Sequence, residues 1–259
     1  MSKDLQNHLG LYPGPEQTAG SPTHRRMFVG PYDAQDHGFP SNGVAEAFES
    51  VDLGRITTSS GGPAATANNY TFTVDGAGAV SNQNDGYQML TGATSGNKIL
   101  VRHNRRAPAS GCLGKRSVAK YRLSVNTVAS STSICGFYDN GSTDPVGTPP
   151  ANGVFFVITN GAIVGRVRGA SGTAADTVTL ATLTDGLVAE LDLKFLNTGV
   201  AATSWGEFWV NGMLTPFSAA QITQLVALTG NIYHNLHIQA TSASARSLTV
   251  DFCYPTCDR

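Results

Sequence analysis

Charge is scarce in this chain. Asp, Glu, Lys and Arg together make up 14% of the residues, and 17 basic against 18 acidic side chains leave a net charge of −1. A globular protein usually carries about a quarter charged residues. This shortage excludes long solvent-facing helices built on Glu and Lys, and the balance removes the electrostatic footprint of a nucleic-acid binder. Long apolar runs are missing as well: nothing approaches the roughly 18 residues a membrane-spanning helix needs. The opening MSKDLQNHLGLYPGPEQ has no apolar stretch of the signal-peptide kind, so folding in a cytoplasm is expected. Cysteine is limited to Cys112, Cys135, Cys253 and Cys257. That is too few for a disulfide framework in a chain of 259 residues. Cys253 and Cys257 have no His nearby and do not read as a zinc site. Idle thiols are expected, and a late disulfide between these two stays open for a protein that ends up outside the cell. Neither a nucleophile-elbow Gly-x-Ser-x-Gly nor a phosphate-cradling loop occurs.

What the chain does have is glycine, 29 of them, spread among Ser, Thr, Ala and Asn. From Phe48 onward the text is strand after strand. NYTFTVD alternates Tyr70, Phe72 and Val74 with polar residues, and AKYRLSVNTV alternates Tyr121, Leu123 and Val125 with Arg122, Ser124 and Asn126. Further strands are expected in SICGFYD (133–139), GVFFVIT (153–159), AIVGRVR (162–168), TVTLATL (177–183), VAELDLKFL (188–196), WGEFWVNG (205–212), NIYHNLHIQATS (231–242) and SLTVDFCY (247–254). Asn160-Gly161, Asp185-Gly186 and Asn211-Gly212 are the hairpin signals, because these dipeptides tolerate positive φ. One helix is expected in SAAQITQLVALT, capped by Ser218, with Ile222, Leu225 and Val226 on one face. The pattern predicts an all-β, two-sheet antiparallel sandwich with one short helix.

Residues 1–45 differ in kind. Pro13, Pro15, Pro22, Pro31 and Pro40 interrupt them, and no period of either secondary structure is sustained. Large apolar side chains are nevertheless scattered through them, which solvated tails lack. The reading is an extended N-terminal arm (1–45) ahead of the sandwich (46–259). Leu9, Tyr12, Met27, Phe28, Tyr32 and Phe39 are the expected contacts with a neighbouring subunit or surface; an arm wrapped on its own domain is the alternative.

Order as well as composition carries a resemblance. ICGFYDNGSTDPVGTPPANGVFFVI, a hairpin, VAELDLKF, WGEFWVNGM, a short helix and a closing SLTVDFCY follow one another. Residues 48–254 thereby resemble the concanavalin A-like lectin/glucanase jelly-roll sandwich, with Phe208-Trp209-Val210-Asn211-Gly212 and Val250-Asp251-Phe252 as the most telling stretches. With its Pro-rich arm and low charge, the chain also resembles structural proteins of tailed-bacteriophage virions.

The glucanase resemblance implies a test. Those enzymes carry Glu-x-Asp-x-Glu on one strand, three acids on one face in steps of about 6–7 Å, the outer two serving as nucleophile and acid/base. Here Glu190 and Asp192 match the first two positions, and Lys194 occupies the third. An ammonium cannot give and retake the proton of a carboxylic acid. The expectation is an ordinary strand, with Glu190, Asp192 and Lys194 outward and Leu191, Leu193 and Phe195 in the core. No catalytic residue, cofactor or metal is assigned. Asp139, Asn140, Ser142 and Asp144 offer oxygen ligands of the calcium-lectin sort, but in an order that a turn explains as well. His234 and His237, three apart on a strand, point to opposite faces and form no metal pair. Arg102–Arg106 with Lys115 and Arg116 reads as a protein interface, since no aromatics interleave with it.

Two functions of different class follow. The first is a non-enzymatic capsid decoration or cement protein, lying on the major capsid protein as a homo-oligomer, with a trimer expected, and localised to the virion surface. The second is a carbohydrate-binding, lectin-like module of a tail fibre, spike or head fibre. The aromatics offered to a sugar are Tyr138 and Trp205, while Trp209, inside a hairpin strand, is expected in the core. Neither reading involves nucleic acid or a membrane.

Overall fold

The structure is a computed structural model, and it describes residues 46–47, 65–67, 70–83, 86–103, 113–139, 150–169 and 173–257. The arm residues Leu9, Tyr12, Met27, Phe28, Tyr32 and Phe39 lie outside these, as do Asn140, Ser142, Asp144 and most of the arm–sandwich boundary.

The described chain forms strands β1 (Glu46–Ala47), β2 (Ala65–Ala67), β3 (Tyr70–Val74), β4 (Ala79–Gln83), β5 (Gly86–Leu90), β6 (Lys98–His103), β7 (Lys115–Val125), β8 (Ser131–Asp139) and β9 (Gly153–Thr159). They continue with β10 (Ala162–Arg168), β11 (Ala174–Asp176), β12 (Ala181–Thr182), β13 (Val188–Asn197), β14 (Trp205–Val210), β15 (Met213–Pro216), helix α1 (Ala219–Val226), β16 (Ile232–Ala240) and β17 (Ser247–Cys257). The strands form two antiparallel sheets. The smaller runs β15-β14-β13-β7-β17-β5-β4, with β1 pairing β17. The larger runs β11-β10-β9-β8-β16-β6-β3-β2, with β12 pairing β10. This is the two-sheet antiparallel sandwich with one short helix that the alternation predicts.

The core lies between the sheets and is closed by Phe137, Phe156, Phe195 and Phe208, all at most 2% exposed. Burying each such ring contributes about 1.5–3 kcal/mol. Phe156 and Phe208 meet edge to face at 5.1 Å, and Phe137 meets Phe195 at 5.8 Å. One polar pair crosses this interior: the Tyr121 hydroxyl and His234 Nε2 are 2.9 Å apart, and their rings stack. Pairing satisfies groups that would otherwise be desolvated without compensation.

Turns follow the dipeptides in two places of three. Asn160 and Gly161 have φ of 49° and 87°, and Asn211 and Gly212 have 50° and 80°, as two-residue hairpins require. Asp185-Gly186 does not close a hairpin. It carries the chain from β12 in the larger sheet to β13 in the smaller, and the Asp185 carboxylate accepts from Val128 N–H at 2.7 Å. TVTLATL is likewise not one strand. Thr177 and Leu180 bond back to Gly165 and Ile163 of β10, only Ala181–Thr182 pairs as β12, and Val178 is 84% exposed. Helix α1 starts where Ser218 predicts, with a complete capping box: Gln221 N–H donates to Ser218 Oγ, and Ser218 N–H donates to Gln221 Oε1. Leu225 is buried, Ile222 is partly buried against the core, and Gln221 replaces Val226 as the second fully buried helix residue. Among the described residues no helix is long and apolar enough to cross a membrane.

Candidate functional site

Chemistry on a sandwich has three places to reside: the outer face of either sheet, or the loops. AELDLKF belongs to β13, and its burial alternates as expected. Ala189, Leu191, Leu193 and Phe195 are buried, while Glu190, Asp192 and Lys194 face away from the core. Asp192 and Lys194 are each tied to a neighbour. Lys120 Nζ sits 3.5 Å from Asp192 Oδ2 on the adjacent strand β7. Lys194 Nζ stands 5.3 Å from the centre of the Trp209 ring. The strand therefore holds an ammonium over an indole where a glucanase would hold an acid.

Trp209 is the correction that this face supplies. It is not in the core. Burial along β14 alternates, with Gly206, Phe208 and Val210 inside and Trp205, Glu207 and Trp209 half-buried on the outside. Trp209 Nε1 donates to Glu207 Oε2 at 2.9 Å, which fixes that ring beside its strand. Trp205 lies opposite Leu196 of β13, which in turn lies opposite Arg116 of β7. The Arg116 guanidinium reaches across to 5.2 Å from the Trp205 ring centre. On the next row Glu207 pairs with Lys194, and on the third Trp209 pairs with Asp192, with Leu214 of β15 on its other side. The result is a sheet face with two indoles on one strand, an opposite-charge pair between them, and cations against both rings. Each cation–ring contact at this exposure contributes about 0.5–1 kcal/mol. The period-two rule already placed Trp209 with Trp205 and Glu207, so the signal was in the sequence.

The larger sheet's outer face takes the other aromatic candidate, and the structure places it differently from the expectation. Tyr138 is 1% exposed, so its ring is not offered to a ligand. It meets Phe155 at 5.4 Å in a small apolar cluster with Ile134 and Val157. Gly136 and Gly153 lie opposite Phe155 and Tyr138, and a Cβ on either glycine would come within 2.5 Å of its neighbour, so the two rings depend on both glycines. Burial raises the Tyr138 phenol well above its ordinary value. Asn235 and His237 share this face and are also buried. His234 points the other way, into the core, as the three-residue spacing predicts. Of the basic run, Arg102 stands 5.9 Å from the Tyr233 ring centre.

Loops add little. Asp139 closes β8, and burial pushes its carboxyl up against hydrogen bonds from Asn152 and the backbone of residues 151–152. No group of three His, Cys, Asp or Glu side chains able to hold a metal occurs among the described residues. The Cys135 thiol is buried, and burial raises it beyond any reactive range.

No family model and no curated protein matches the chain. Solved structures do. The carbohydrate recognition domain of Emp47p superposes with a TM-score of 0.52 at 9% identity, covering 73% of this chain and 88% of that one. A protein of unknown function from Shewanella oneidensis MR-1 gives 0.51 at 14% identity, covering 80% and 91%. Such likeness shows the fold alone, a concanavalin A-like jelly-roll sandwich.

Proposed function

We propose that the chain is a non-catalytic carbohydrate-binding module whose ligand lies on the outer face of the smaller sheet. The observation that carries this is the pair Trp205 and Trp209. Both indoles stand on the solvent side of β14, where core packing does not account for them. Tryptophan suits sugars because the negative face of its π-system meets the slightly positive C–H face of a pyranose ring, while its N–H can anchor the ring, as that of Trp209 does on Glu207. The sandwich is also the architecture of a carbohydrate recognition domain, an analogy of fold that supports the reading without assigning a site. Catalysis has no support from β13, where Lys194 stands in the acid/base position and leans on Trp209.

The arm gives this module a setting. Its Pro-rich, aromatic-bearing sequence favours attachment to a virion, as a homo-oligomer on the major capsid protein or within a fibre or spike. Pure capsid decoration draws on residues 1–45 and the low charge of the chain, whereas glycan recognition draws on the described face, so glycan recognition is the reading adopted. The test is an array of immobilised glycans probed with the full chain and with a Trp205→Ala/Trp209→Ala double variant. Binding by the former, abolished in a folded double variant, is expected. An array silent for the full chain, or one on which both proteins bind alike, refutes the proposal.

A further inference from the structure

The face has a dimension as well as a chemistry. Trp205 and Trp209 are four residues apart on a regular strand, which separates their Cα atoms by about 13 Å. A glycosidic repeat, assembled from bonds of roughly 1.4–1.5 Å, advances about 5 Å at most. The two indoles are therefore more than two sugar units apart, and a disaccharide stacked on one leaves the other empty. Between them stand Glu207 and Lys194, cross-strand neighbours of opposite charge. A carboxylate accepts from a sugar hydroxyl, and an ammonium donates to one. Asp192, paired with Lys120, and Glu190, opposite Arg122 of β7, extend the same row pattern along β13. Each of these carboxylates thus has a cation as its cross-strand neighbour, so an acidic polysaccharide drawn to Lys194, Lys120 or Arg122 would meet a carboxylate beside each of them, while Arg116 stands at the Trp205 end of the face.

Resting on the carbohydrate reading above, we infer that the ligand is a neutral, extended polysaccharide lying along β14, bound by four or more consecutive sugars that bridge Trp205 and Trp209, with Glu207 and Lys194 contacting hydroxyls of the intervening units. Two weak stacking contacts on one chain act as a bivalent site, in which the second contact forms at high effective concentration. Length dependence is the consequence peculiar to this geometry. A single aromatic subsite has none.

Calorimetric titration of the full chain with cellobiose, cellohexaose, xylohexaose and oligogalacturonate tests it. We expect one or both neutral hexasaccharides to bind at least tenfold more tightly than cellobiose, with oligogalacturonate weaker than either. In Trp205→Ala and in Trp209→Ala the advantage of the longer chain should collapse towards unity, while Trp209→Phe, which keeps a stacking face, should restore part of it. Equal affinity for the disaccharide and hexasaccharides, or preference for the acidic chain, overturns this inference and leaves a single-sugar site standing. A length advantage that survives both alanine variants overturns it too. Failure of every probe to bind counts against the bridging-chain geometry, and the array then decides whether the carbohydrate reading falls with it.

Discussion

Gly165→Ala should destabilise the sandwich although it adds one methyl group to a strand. Gly165 lies in β10 on the inward side, and a Cβ there would stand 2.5 Å from Phe208 Cδ2, 2.6 Å from Cε2 and 2.7 Å from Cγ. The ring cannot step aside. Phe208 is 0% exposed, with Phe156 at 5.1 Å on one side and Phe217 at 4.8 Å on another. Two effects oppose each other. Replacing glycine by alanine restricts the unfolded chain and contributes about 0.4–1 kcal/mol of stability where the backbone permits it. Overpacking a closed core costs about 1–3 kcal/mol. With three ring atoms inside contact distance the second term wins, for a net loss of about 1–2 kcal/mol. In a domain of this size that lowers the melting midpoint by about 2–8 °C. Phe208→Ala is the calibrating variant and should cost about 3–5 kcal/mol. Gly165→Ala combined with Phe208→Leu should cost less than the sum of the two singles, because the smaller side chain vacates the space the methyl needs. Thermal unfolding followed by near-ultraviolet circular dichroism reports wild type, the three single variants Gly165→Ala, Phe208→Ala and Phe208→Leu, and the double variant. A midpoint unchanged in Gly165→Ala, or strict additivity in the double variant, refutes the packing argument. The site is involved as well, since Phe208 anchors β14 between Glu207 and Trp209.

Three further outcomes follow. The Asp139 carboxyl is raised by burial, so the stability it contributes is present below its unfolded value and is lost as pH rises through its folded one. Asp139→Asn should therefore be stabilising near neutrality relative to wild type and lose that advantage in acid, as read from midpoints across pH. Incubation with β-glucans should release no reducing ends; turnover that vanishes in Glu190→Gln would restore the enzyme reading. Deleting residues 1–45 should leave a cooperatively melting β protein, because the described strands and the core between them all lie beyond residue 45, while light scattering should show a smaller assembly. A fragment that fails to fold would move the domain boundary.

Strands whose two sides differ were legible in the sequence. AIVGRVR forms β10 at the expected residues because its inward positions alternate, and a true Asn-Gly turn joins it to GVFFVIT, which forms β9 as expected although it is buried on both faces from Gly153 to Phe156. β6 was not read: Leu100, on the outer face, is as buried as Ile99 and Val101, so KILVRH shows no alternation. β4 offers too little apolar signal, with Val80 its one buried hydrophobic residue. TVTLATL has the right period but lies at a sheet edge, where backbone bonds to β10 rather than side-chain packing set its course. The site divides in the same way. Local alternation puts Trp205, Glu207 and Trp209 on one side of β14, whereas the burial of Tyr138 depends on what packs over β8 from afar. Arg116 and Lys194 come to the indoles only through sheet register.

Trp205 and Trp209 are the two tryptophans of the chain, so tryptophan-selective fluorescence reports on this face and nowhere else. The decisive measurement is that emission, titrated with the glycan ranked first on the array, in wild type and in Trp205→Phe and Trp209→Phe. The account predicts a saturable shift in wild type, a separate response from each remaining indole, and weaker binding in both variants. A glycan that binds by calorimetry yet leaves both indoles unaltered would place recognition elsewhere on the sandwich and contradict the central claim.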